Sequence, residues 1–152
     1  MGVSRPVSIA IPAIDVRSPL VRLGLNPDRT LEVPSDPAKA GWYDGSATPG
    51  AAGAAVIAGH VTWDQEPTVF FRLGALRPGQ RVQVQRADGR TAVFAVTEVA
   101  QYPKDEFPTA EVYGAADRPE LRLITCGGRY DSDSSNYEAN VVVYAELVGS
   151  HR

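Results

Sequence analysis

Two residues in this chain can do covalent or proton-transfer chemistry, and the sequence supplies little else of that kind. Cys126, the only cysteine, stands in ELRLITCGGRYD, at the end of an alternating apolar run and directly before Gly127 and Gly128. His60 stands in AVIAGHVTWD, at the end of a short apolar run and directly after Gly59. A thiolate is a strong nucleophile, and an imidazole beside it can hold or give the proton that acyl transfer requires. Free cysteine is also among the most buried residue types, and a histidine at a strand end is commonly structural. Residue type alone therefore leaves two readings: packed filler, or a nucleophile with its partner. The paired glycines favour the second, because they let a substrate carbonyl approach the thiol closely. The other histidine, His151, lies next to the last residue and is expected in a frayed tail.

Other chemistries are missing. No Gly-x-Ser-x-Gly elbow, phosphate-cradling glycine loop or dinucleotide fingerprint occurs. Asp131 and Asp133 in DSDSSN lack the spaced glycine and terminal glutamate of a calcium loop, so a solvated loop is expected and no metal or other cofactor. One cysteine excludes an internal disulfide and argues against a cysteine-based metal site. The net charge of -3, with no basic run, argues against nucleic acid as a partner.

The elements that must position Cys126 and His60 are short. Twelve prolines and fourteen glycines are spread along 152 residues, which leaves little room for long helices. VSIAIP, AAVIAGHV, RVQVQR, TAVFAVTEVAQY, ELRLITC and NVVVYAEL read as strands, and Asp88-Gly89 between two of them is a hairpin signal. These rules predict about seven or eight strands in an all-β barrel or sandwich. Short helical turns are expected in TVFFRLGAL and in TAEVYG, the latter with Thr109 as N-cap. DSDSSN is expected to be a mobile loop beside the thiol. In a closed barrel the strands ending at His60 and Cys126 can lie side by side. A hydrophobic content of 43% and charged content of 22% fit a globular chain of one domain. No apolar run approaches the ~20 residues of a membrane span, and the N-terminus lacks the order of a signal peptide. Either the chain is cytoplasmic or a targeting segment lies outside it.

Taken in order, TLEVP, AGWY, GAAVIAGHV, FFRLGALRPGQRV, YPKDEFP, LRLITCGG and NYEANVVVYA resemble the sortases, cysteine transpeptidases of Gram-positive and related bacteria. The resemblance runs from about Val7 to about Val148 and is nearest to the class E/F group of actinobacteria. AGHV matches the family's histidine motif and LITC its nucleophile motif. The resemblance implies a single catalytic domain over 1–152, with flexible ends. It implies a closed eight-stranded β-barrel with short helices, Cys126 as nucleophile and His60 as acid/base partner. It implies cleavage of a Leu-Pro-x-Thr-Gly-like sorting signal between Thr and Gly. The acyl group then passes to an amine of a peptidoglycan precursor or a pilin. Localisation at the outer face of the cell membrane is implied too, with any anchor outside this chain.

One departure stands out. Most sortases carry an arginine at the start of the last strand, where it stabilises the oxyanion. Aligning VVVYA with that strand puts Asn140 in its place, and relatives with Tyr-Arg-Asp-Asn have it where Glu138 stands here. Asn140 can donate a neutral hydrogen bond; Arg129, after the cysteine, offers charge instead. Thr125 points to the opposite face from Cys126 and receives no chemical role. Trp63 lines the substrate groove or caps the barrel, Arg72 and Arg77 are expected in solvent, and Tyr144 shares strand parity with Asn140. Two rivals stand beside the sortase reading: an L,D-transpeptidase-like cell-wall enzyme, whose Ser-x-Gly-Cys context is absent, and a non-catalytic β-barrel binding module.

Overall fold

The computed structural model describes residues 1–27, 32, 34–36, 38–60, 62–63, 66–102, 117–126, 130–131, 136–137 and 140–152. At 62–63, 66–67, 126, 130–131, 136–137 and 140 the description is of the backbone. The strands are β1 (Pro6–Ile11), β2 (Val16–Leu23), β3 (Ala40–Tyr43), β4 (Gly53–His60), β5 (Thr62–Trp63), β6 (Glu66–Pro67), β7 (Arg81–Arg86), β8 (Thr91–Tyr102), β9 (Pro119–Cys126), β10 (Tyr130–Asp131), β11 (Asn136–Tyr137) and β12 (Asn140–His151). Eight of them close a barrel in the order β1-β2-β3-β4-β9-β12-β8-β7, with β7 returning to β1. The all-β expectation and the closed eight-stranded barrel are both met.

Alternation builds the barrel wall. On β7, Val82 and Val84 point inward, and on β8, Ala92, Phe94 and Val96 do the same; all are buried. Ile9 and Ile11 of β1 join them. The Asp-Gly signal forms the β7–β8 hairpin, with Gly89 at φ +83°, a left-handed conformation glycine adopts without steric cost. The turn is held by Arg86, whose side chain is 1% exposed. Its guanidinium donates to the carbonyls of Pro49 and Gly2 and pairs with Asp88 at 2.8 Å.

The strands that end at His60 and Cys126 read differently, because both of their faces are covered. Ala54 to His60 are all buried. Ala55 and Ile57 of β4, Leu121 and Leu123 of β9, and Val143 and Ala145 of β12 face the barrel interior. Val56, Ala58, Ile124 and Val142 alternate with them and form a second cluster on the outside, joined by Leu23 and flanked by Tyr43, Tyr102 and Tyr144. A near-continuous apolar run such as AAVIA is what a strand buried on both faces requires. β4 and β9 are parallel, and β9 and β12 are antiparallel.

Several details differ from the sequence expectations. His151 is not in a frayed tail: β12 runs on to it, and it pairs with Thr91 of β8. The DSDSSN segment begins and ends in a small ladder, where Tyr130 pairs with Tyr137 and Asp131 with Asn136. The helical turn expected in TVFFRLGAL is a short 3-10 turn, η2 (Leu73–Ala75). A second such turn, η1 (Pro12–Ile14), was not anticipated. The turn expected in TAEVYG, with Thr109, lies outside the described residues. Arg72 and Arg77 are exposed, as expected.

Candidate active site

His60 and Cys126 are register partners. The parallel β4–β9 ladder runs from Gly53 opposite Pro119 to His60 opposite Cys126, so both residues close their strands at the same barrel end. Neighbouring strands lie about 4.8 Å apart, so the backbones of the two residues stand side by side at that end. The β9–β12 register pairs Val142 with Ile124. Continued by two residues, it sets Asn140 across from Cys126. His60, Cys126 and Asn140 therefore occupy one row across three adjacent strands. Asn140 also pairs with Tyr102 of β8. Arg129 and Glu138 lie outside the described residues, as do Gly127 and Gly128; of Trp63 only the backbone is described.

Local packing fixes His60. The residue is 3% exposed, and Nε2 lies 2.8 Å from the carbonyl oxygen of Pro34. A carbonyl can only accept, so this bond keeps a hydrogen on Nε2. The His60 carbonyl accepts from the Thr68 hydroxyl at 2.7 Å and from the Phe70 N–H at 3.0 Å. Gly59 is what lets this segment come close. A Cβ there would lie 2.7 Å from the Phe70 ring and 2.9 Å from Val69. The glycine of the Ala-Gly-His motif thus has a packing reason: it seats Phe70 against the strand beside the histidine.

Thr125 faces away from the row, as alternation requires, but it holds the register. Its hydroxyl accepts from the Val141 N–H at 2.9 Å, stitching the end of β9 to the start of β12. It is buried, and it positions the backbone on either side of Cys126 and Asn140.

The face below the row carries a group that sequence reasoning passed over. Arg122 lies on β9 with the parity of Cys126, directly across from Tyr144. Its guanidinium stands 4.8 Å from the centre of the Tyr144 ring and pairs with Glu120. The Tyr144 and Tyr102 hydroxyls are 3.0 Å apart. The Arg122 Nε is buried without an acceptor. An unmet buried donor costs about 1–3 kcal/mol. The signal was present in the sequence, since Glu120, Arg122, Ile124 and Cys126 share one parity. Among the described residues no group of His, Cys, Asp and Glu is arranged to hold a metal ion.

Comparison with known proteins fits this arrangement. The family model described as sortase domain matches residues 9–148. Comparison with curated protein sequences returns no significant match. Among solved structures, sortase A of Listeria monocytogenes superposes with a TM-score of 0.70 at 20% identity, over 99% of this chain and 90% of that one. Sortase A of Corynebacterium diphtheriae gives 0.70 at 25% identity, over 95% of this chain and 62% of that one. Sortase C-1 of Actinomyces oris gives 0.70 at 22% identity, over 93% and 73%.

Proposed function

The chain belongs to the sortase domain family, and from that premise we propose how this transpeptidase works. Cys126 is the nucleophile and His60 its acid/base partner. The substrate is a Leu-Pro-x-Thr-Gly-like sorting signal, cut between Thr and Gly. The observation that carries the assignment is the register pairing of His60 with Cys126 at the ends of two parallel strands.

The Cys126 thiolate attacks the threonine carbonyl carbon, and the carbonyl π electrons move to oxygen. The tetrahedral intermediate collapses, the C–N bond breaks, and the glycine amine leaves with a proton from imidazolium. A thioester remains on Cys126. An acceptor amine then attacks it, gives up a proton to His60, and the thiolate departs. The Pro34 carbonyl engages Nε2 and so holds the imidazole in place at the end of β4. The oxyanion needs a donor, and Asn140, in the row with Cys126, is our first choice on position; Arg129 is the second on charge. The thioester must outlive water attack until the amine arrives, which a site bedded on buried apolar side chains favours.

The motif context, Ile-Thr-Cys-Gly-Gly with Ala-Gly-His, supports placing the chain with the class E/F sortases. We further propose one catalytic domain over 1–152, acting at the outer face of the cell membrane. Its acceptors are amines on a peptidoglycan precursor or a pilin. Among the described residues no helix is long and apolar enough to cross a membrane. No observation favours the L,D-transpeptidase or the non-catalytic reading.

The test is turnover of a quenched Leu-Pro-Glu-Thr-Gly peptide in the presence of an amine. Cys126→Ala abolishes it with the fold retained, and His60→Ala lowers it by about 10²–10⁴-fold, the usual worth of a positioned acid/base. Normal cleavage by a folded Cys126→Ala protein ends the proposal.

A further inference from the structure

Arg122 is an unusual residue to find under an apolar strip. Its side chain is 10% exposed and sits beside Ile124 and Tyr144, on the face that Cys126 closes. It has more donors than acceptors. One bond goes to Glu120, Nη1 has only a 3.4 Å contact with the Leu121 carbonyl, and Nε has none. Buried polar groups that serve structure alone are nearly always satisfied. A hydrophobic side chain of similar volume would fill the same space without stranded donors.

We propose that Arg122 is a positioning residue for the sorting signal, taking a backbone carbonyl of the peptide just upstream of the signal's leucine. The proposal rests on the transpeptidase reading above. Arg122 precedes Cys126 by four residues on β9. At about 3.3 Å per residue that is about 13 Å along the strand. The guanidinium turns toward Glu120, further from Cys126. An extended peptide with its threonine carbonyl at Cys126 passes the level of Arg122 at the residue before the leucine, and the guanidinium within about one or two residues more. A peptide carbonyl there supplies the acceptor that Nε lacks and a closer one for Nη1. Nε is closed to solvent, so the half-buried Tyr144 ring is the side chain that shifts as the peptide settles. A lysine would keep the charge beside Glu120 but has neither the planar stack nor the Nε–H.

The experiment compares kcat/KM for two peptides: acetyl-Leu-Pro-Glu-Thr-Gly, and the same signal with three further residues before the leucine. The wild-type protein is expected to prefer the longer peptide by about tenfold, the equivalent of about 1.4 kcal/mol, expressed mainly in KM. In Arg122→Lys and Arg122→Gln the ratio of the two values falls to near one, whatever change is common to both peptides. Damage to the fold lowers both values and leaves their ratio alone. A ratio that stays at the wild-type value in both variants, or a wild-type ratio near one, overturns the proposal. Cleavage of neither peptide by the wild-type protein is a failure of the transpeptidase reading, and the role of Arg122 falls with it.

Discussion

Gly59 and Phe70 are in contact so close that a methyl group on Gly59 would lie 2.7 Å from the Phe70 ring. The contact sits one residue before His60, and Phe70 also donates its N–H to the His60 carbonyl. The histidine is held by the same packing that excludes a side chain from its neighbour.

Gly59→Ala is therefore expected to hurt stability and activity together. Overpacking a full core costs about 1–3 kcal/mol. Because the relief must come from Phe70 or from β4, His60 moves as well. Thermal melting and peptide turnover measured on the same protein check this. A variant with wild-type melting and wild-type turnover would show that the Phe70 contact does not position His60.

The oxyanion donor is decided by rate. Asn140→Ala and Arg129→Ala are compared under single turnover with the same peptide. The residue whose loss lowers the rate by about 100-fold or more is the stabiliser, since that is the scale of one oxyanion donor. Asn140 shares the row of Cys126 by register, so the larger loss is expected there. If neither variant slows acylation, the oxyanion is held by some other group and both assignments are wrong.

Asp88 makes an acid-dependent contribution to stability. The Arg90 backbone N–H and then the Arg86 guanidinium hold its carboxyl below the ordinary carboxylate range. A group whose folded pKa is depressed adds stability above its unfolded value, about 3.9 for Asp. That stability is lost as pH falls through the lower folded value. Melting of Asp88→Asn against wild type is expected to show the largest gap near neutral pH, closing below about pH 4. A gap that is unchanged down to pH 2.5 would show that the carboxylate's charge is not what matters.

Much of the barrel could be read from alternation. RVQVQR and TAVFAV state their inward faces outright, and Asp88-Gly89 states the turn between them. β2 is harder, because Pro19 stands in mid-strand and proline ordinarily argues against a paired strand. Cys126 and His60 stood out in the sequence as types and motifs. Their adjacency was only a possibility, since no local pattern says which strand lies beside which. β4 and β9 are parallel neighbours joined through β5 to β8, and only the topology sets His60 against Cys126. For Arg122 the sequence shows the parity with Cys126, but its place under Tyr144 is a cross-strand fact. Thr125 was assigned no chemistry, and its bond to Val141 depends on a strand that begins fifteen residues later in the chain.

The central claim is that Cys126 carries the acyl group between a sorting signal and an amine. Intact-protein mass spectrometry after incubation with a Leu-Pro-Glu-Thr-Gly peptide tests it most directly. The expected result is an adduct on Cys126 with the mass of the peptide cut after threonine, discharged when an amine is added. A thiol that alkylates readily yet forms no adduct with this peptide would contradict the proposed signal. A thiol that neither alkylates nor acylates would contradict the account as a whole, and Cys126 would be filler in the wall of a binding barrel.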